Sequence, residues 1–231
     1  MGPKTIISYD DTLNDHDALA LGRVLAGIGA ELELAYVRHT TQTDRSREEL
    51  DQSQAEALLD RGARWLDSLD VPRRVVLSAS TGDGLAWLAA EESADIIVFG
   101  SDYRTAAGHV DPGTSARRLL DGGSAAVAIA PANYRGQREA TIRKIGVLDG
   151  DAAARQTANE IADRLGASVV SVPAAGIDLL VVASRPEAHE GRVMISAQAE
   201  RAIEDAIVPV LVVPRGKPVR FAVPATATAT S

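Results

Sequence analysis

The chain has 231 residues, a formal charge of −8, 45% hydrophobic residues and no cysteine. That length predicts one or two domains, and the missing cysteines exclude disulfides, thiolate zinc sites and a cysteine nucleophile. The acidic balance argues against a general nucleic-acid surface, so an anionic ligand needs local amides and a few placed cations. No apolar run approaches the roughly 18 residues that span a bilayer, and the first residues lack the basic start and long apolar core of a signal peptide. A cytoplasmic protein with no membrane partner is the expectation.

Strands and helices alternate along the first half, which predicts a parallel sheet with helices on both faces. Ile6 to Tyr9 reads as the first strand. Ala18, Leu21, Gly22, Leu25 and Ile28 recur at helical spacing after Asp15, a candidate cap, and Leu32 to Val37 makes the second strand. After a polar loop, Arg38 to Arg47, an amphipathic helix carries Leu58, Gly62, Trp65 and Leu69. Val75 to Ser78 is a third strand, and Gly82 to Gly84 opens a helix bearing Leu85, Leu88 and Ala89. Both tryptophans, Trp65 and Trp87, read as partly buried packing residues.

The most informative stretch comes next. Asp95 to Phe99 is a β-branched apolar run of the kind buried on both faces, and it stops at Gly100. A loop then runs to Pro112, Gly113, Thr114 and Ser115, which suit the start of a helix carrying Ala116, Leu119 and Leu120, and Ala126 to Ala130 completes five strands. Free amides at a helix start, beside glycines that admit a ligand closely, suit a phosphate. None of the four histidines, His16, His39, His109 and His189, has a metal-ligand spacing.

The stretch occurs twice. A constant offset of 83 lays it ungapped over Ile177 to Pro214, with Asp95 on Asp178, Gly108 on Gly191 and Pro131 on Pro214. The starts match as well, Thr5 to Asp11 over Lys144 to Gly150, with Asp10 on Asp149. The chain therefore divides into three segments: residues 1–136, a second related domain at 137–216 and a disordered tail at 217–231, with Arg135 to Thr141 as linker.

These residues resemble the universal stress protein family in its tandem form. The family pattern of a glycine, two residues, a glycine, nine residues and Gly-Ser or Gly-Thr falls on Gly100, Tyr103, Gly113 and Thr114, with tyrosine where the middle glycine stands. A variant found in tandem members, Gly-Ser-x-x-Arg-Gly-x-x-Gly before Pro-Gly-Ser, is kept by Gly100, Ser101, Arg104, Gly108, Pro112, Gly113 and Thr114, with Thr105 replacing one glycine. The resemblance covers roughly residues 4 to 131 well and 142 to 214 weakly.

The resemblance implies an α/β fold of two open, mostly parallel twisted sheets with flanking helices, the second reduced. The implied strand order is 3-2-1-4-5, and ligands of such sheets sit where the winding reverses, here between strands one and four. Asp10 would accept from the adenine or its surroundings, Val37 would pack on the base, and Gly100, Gly113, Thr114 and Ser115 would take the phosphates of ATP. Arg104 would steer phosphate, and Thr114 would also meet magnesium. Each has a structural rival: a solvated carboxylate or cap at Asp10, core packing at Val37, plain turns at Gly100 and Gly113, a cap at Thr114 and an idle surface cation at Arg104.

The second half departs from the pattern. Ala183 replaces Gly100, Ser196 and Ala197 replace Gly113 and Thr114, and Glu187 and Glu190 add negative charge, so phosphate binding is not expected there. Val37 to Ala94 spans 57 positions, while Val172 to Ile177 spans five, so a helix, a strand and another helix are missing. A return that short is hard to fit in a parallel sheet. Val169 to Val172 is therefore expected to end early, pair irregularly or leave the sheet. The resemblance also implies that Val210 to Val213 pairs with Ala126 to Ala130 across a pseudo-twofold.

Three functions remain open: an adenine-nucleotide-binding stress or regulatory protein, acting on itself or on an unidentified protein partner; a nucleotide-free scaffold of the same fold; and a slow ATP hydrolase. The loop carries no lysine and no nucleophile with a visible partner, which favours binding over catalysis.

Overall fold

The computed structural model describes residues 2–39, 45–68, 70–136, 141–148 and 151–221. The first half runs β1 (Lys4–Ser8), α1 (Leu13–Gly27), β2 (Glu31–His39), α2 (Arg45–Trp65), β3 (Arg73–Ser78), α3 (Thr81–Glu91), β4 (Ile96–Gly100), α4 (Gly113–Leu120) and β5 (Ala126–Ala130). The second runs β6 (Lys144–Leu148), α5 (Ala152–Leu165), β7 (Ser168–Ser171), β8 (Leu179–Ala183), α6 (Ala197–Glu204) and β9 (Val210–Val213).

The strand order is β3-β2-β1-β4-β5-β9-β8-β6-β7. Pairing is parallel within each half, and the first half has the implied order 3-2-1-4-5. The two expected sheets are joined edge to edge through β5 and β9, which pair antiparallel with Val127 opposite Val212 and Ile129 opposite Val210. Alternation with period two then sorts side chains to two faces. Ile7, Ile96, Val98, Val181 and Leu211 pack under α1, α2 and α5, whereas Ile6, Ile97, Phe99, Val182 and Val210 pack under α3, α4 and α6. Each core runs through both halves.

Local expectations shift where side chains find better partners. Asp15 is not the cap of α1. Thr12 caps it, and Asp15 answers as the third residue of a capping box, accepting from the Thr12 N–H at 3.0 Å and the Thr12 hydroxyl at 2.7 Å. Trp65 is half-buried on the α1/α2 core as expected, while Trp87 is 59% exposed. The polar loop expected from Arg38 is shortened at both ends, since β2 extends to His39 and α2 begins at Arg45; residues 40–44 and Leu69 lie outside the described residues.

β7 neither leaves the sheet nor pairs irregularly. It runs parallel to β6, Ile145 opposite Val169, and ends at Ser171. The connection to β8 spans seven residues, 172–178, rather than five. Seven residues reach roughly 23–25 Å, whereas passing one strand and returning along four residues needs only about 16 Å. The path crosses β6 at Gly146, where Ile177 Cδ1 lies 2.9 Å from the position a Cβ would take. A side chain at Gly146 would block the shortcut.

The segments after β5 and β9 both turn back onto a helix. Tyr134–Gly136 forms a 3-10 turn whose Arg135 pairs with buried Asp17 of α1 at 2.9 Å, while the Asn133 and Arg135 amides each donate to Asp17 at 2.8 Å. After β9, Val219 and Phe221 are buried against α5, Val219 N–H donates to Thr157 Oγ1 at 2.9 Å, and Arg164 donates to the Phe221 carbonyl at 2.7 Å. Burial of two such side chains is worth roughly 1.5–3 kcal/mol each. Residues 217–221 thus continue the second half past the tail boundary expected at 216. Residues 222–231, residues 137–140 of the linker and Asp149, the counterpart of Asp10, lie outside the described residues.

Candidate functional site

β1 ends in a crowd of carboxylates. Asp10 is exposed, yet partial burial, followed by the charges of Asp15 and Asp11, holds its carboxyl above the usual range. Its N–H donates to Asp15 Oδ2 at 3.0 Å. Asp11, at φ 57°, accepts from the Tyr9 hydroxyl and from Arg61 Nε, both at 2.6 Å, and the Tyr9 hydrogen bond first and Arg61 next hold it below the usual range. The His16 ring lies between the Tyr9 and Trp65 rings, 5.9 Å from each. This network fixes α1 and α2 against the end of β1 and leaves the Asp10 carboxylate outward.

Val37 stands near the end of β2, but its side chain is buried against α3, with Cγ1 2.9 Å from where a Gly84 Cβ would be. Gly100 ends β4, and a Cβ there would overlap the Asn14 carbonyl oxygen of α1. Close helix packing therefore accounts for that glycine. Asn14 Nδ2 also donates to the carbonyls of Ser101 at 2.7 Å and Asp102 at 2.8 Å, which fixes the loop's departure from the strand.

At the start of α4, Gly113 takes φ 61° and its N–H donates to Asp111 Oδ1 at 3.0 Å. The Asp102 carboxylate lies 3.6 Å from where a Gly113 Cβ would stand. Thr114 is exposed, Ser115 is half-buried, and neither hydroxyl makes a hydrogen bond among the described residues. Arg104 is turned to Tyr103, donating to its hydroxyl at 2.6 Å with the guanidinium 4.8 Å from the ring centroid. The structure thus brings Asp102 and Asp111 to the start of α4, and Arg104 is committed elsewhere. Arg117 offsets part of that charge, 3.5 Å from Asp111, and bridges to α6 through Glu200 at 2.9 Å and Glu204 at 2.8 Å.

The residue that organises the loop is not among the ligand contacts expected from sequence. Buried Ser101 donates to the Ala130 carbonyl at 2.7 Å and accepts from the Asp111 N–H at 3.2 Å. Ser184, 83 residues on, does the same with Val213 at 2.7 Å and Met194 at 3.3 Å. The offset persists along the loop: Gly108 N–H donates to the Ala132 carbonyl at 2.7 Å and Gly191 N–H to that of Arg215 at 2.8 Å. Each loop also reaches across, Val110 N–H to the Ala206 carbonyl and Val193 N–H to that of Gly123. The identity of Ser101 and Ser184 within the repeat was the signal that could have found them.

Among the described residues no three His, Asp or Glu side chains group as a metal site, and no helix is long and apolar enough to cross a membrane. No protein-family model and no curated protein sequence matches the chain. Solved structures do. A universal stress protein from Archaeoglobus fulgidus is 15% identical over 92% of this chain and 98% of its own, with a TM-score of 0.67. A putative universal stress protein from Pseudomonas aeruginosa is 15% identical over 91% and 93%, at 0.58. A functionally unknown protein of the same species is 15% identical over 94% and 93%, at 0.55. The chain has the universal stress protein fold.

Proposed function

We propose that the protein binds an adenine nucleotide in its first half, residues 1–136, and acts in a regulatory or stress-response role by binding rather than by turnover. In this reading residues 137–216 are a reduced copy that holds no nucleotide. The observation that supports it is that β2, β1 and β4 run side by side and parallel where the winding reverses, with Val37 near the end of β2, Asp10 just past β1 and, after β4, a helix start whose Thr114 and Ser115 hydroxyls have no partner among the described residues. Thr114 and Ser115 fit phosphate oxygens. Asp102 and Asp111 do not, unless a cation lies between. Magnesium is commonly held by one or two carboxylates plus substrate phosphates, so the magnesium complex of ATP is the form these residues suit, with Thr114 beside it.

The Asp111 carboxylate already on the Gly113 N–H favours a second reading, a nucleotide-free scaffold whose own side chain occupies the anion position. Calorimetric titration of ATP into ligand-stripped protein separates the two. The nucleotide reading expects one saturable site per chain, weakened at least about tenfold by chelating magnesium and by Thr114→Asp, which adds charge at the phosphate position. Thr114 is exposed and a helix start tolerates an acid, so the variant keeps the fold. Absence of heat and of thermal stabilisation at about millimolar ATP selects the scaffold.

A further inference from the structure

Beyond the carboxyl ends of β6 and β8 lies a cleft of ≈ 750 Å³. Leu148, Val182, Pro186 and Ala199 supply an apolar wall, and Arg185 and Arg215 line the same space. The volume falls among pockets that enclose small molecules, and the mixture of apolar wall and a few polar groups is their usual lining.

The two arginines set the chemistry. Arg185 makes no hydrogen bond or ion pair through its side chain among the described residues. Arg215 gives one N–H to the Ala188 carbonyl at 2.6 Å, a neutral acceptor, and makes no ion pair among the described residues. Asp151 lines the cleft too, but its oxygens accept the N–H groups of Ala153 at 2.6 Å, Ala154 at 3.0 Å and Gly216 at 3.1 Å, so it is committed to backbone. Among the described residues the lining thus pairs two carboxylates with two guanidinium groups, and of the carboxylates Asp151 is held by three backbone donors while Glu187 makes no hydrogen bond. Nor is this charge inherited from the repeat, since Asp102 and Ala132 stand at the matching positions of the first half.

We infer that the cleft is a second binding site, for a small amphipathic anion: an apolar body against Leu148, Val182 and Pro186, and a carboxylate or phosphate-monoester head clamped by Arg185 and Arg215. A guanidinium presents paired donors that match either head. Ser196 caps α6 by accepting the Ala199 N–H at 3.1 Å, so the glycine-lined phosphate seat of the first half has no equivalent here. The site is independent of nucleotide in the first half.

Benzoate and phenyl phosphate, titrated calorimetrically into the full chain, provide the test. One saturable site is expected for at least one probe, weakened about tenfold or more by Arg185→Ala and further by Arg185→Ala with Arg215→Ala, and unchanged by Thr114→Asp. Arg185 is exposed, so its variant should melt as the native protein does. Binding of benzoate alone, phenyl phosphate alone or both identifies the head group. Equal affinity in native and Arg185→Ala protein, no binding of either probe at about 10 mM, or loss of binding in Thr114→Asp would each overturn the inference.

Discussion

The loop leaving β4 and the loop leaving β8 hold their backbones with matching hydrogen bonds 83 residues apart, yet carry different charge. Ser101 and Ser184 bond the next strand at the same 2.7 Å, and Gly108 and Gly191 take φ 84° and 72°. Where Asp102 stands in the first half, Arg185 stands in the second, and the left-handed Gly113 is matched by Ser196, an ordinary cap. A few buried residues are enough to hold the backbone course. The charged positions add only local turns, Asp102 Oδ1 accepting the Arg104 N–H and Asp111 Oδ1 the Gly113 N–H, both at 3.0 Å, so the charge of each mouth can change while the bonds shared by the two loops persist.

The halves should differ most in how each anchors the segment after its last strand. Asp17→Ala removes the acceptor of Arg135 and of two amides from a fully buried position, and should cost about 3–5 kcal/mol in denaturant unfolding. Thr157→Val, which removes the corresponding hydroxyl from α5, should cost only about 1 kcal/mol. Equal losses would mean that the two returns are anchored alike.

Smaller effects sharpen the strand ends. Gly100→Ala sets a methyl into the Asn14 carbonyl and should cost about 1–3 kcal/mol or more, because backbone must move, whereas Ala183→Gly should cost below about 1 kcal/mol. A tolerated Gly100→Ala would return that glycine to the phosphate site. The smallest difference between the halves is expected at the loop serines, where Ser101→Ala and Ser184→Ala should each cost about 1 kcal/mol by the same unfolding measurement. Unequal values would break the equivalence of the loops.

Much of the fold was legible because it rests on local pattern. Apolar runs marked β4, β5 and β9, β5 and β9 at their observed limits, and the family resemblance implied that the last two pair. The features that escaped depend on contacts between distant segments. Thr12 displaced Asp15 as cap through a reciprocal bond, Gly146 opened the path of the 172–178 connection, and Val219 with Phe221 found α5 from a stretch whose composition reads as tail. The candidate site was legible in position and less so in charge. Spacing located Gly113, Thr114 and Ser115 at a helix start, but only the folded loop brings Asp102 and Asp111 to them and turns Arg104 onto Tyr103.

The β5–β9 junction has a consequence for how the halves coexist. Both strands belong to one polypeptide, so their pairing is intramolecular and dilution does not part them. Joining these edges also removes two unpaired rows of backbone from solvent, leaving β3 and β7 as the outer borders of the sheet. A change in either half therefore acts on a partner that is always present.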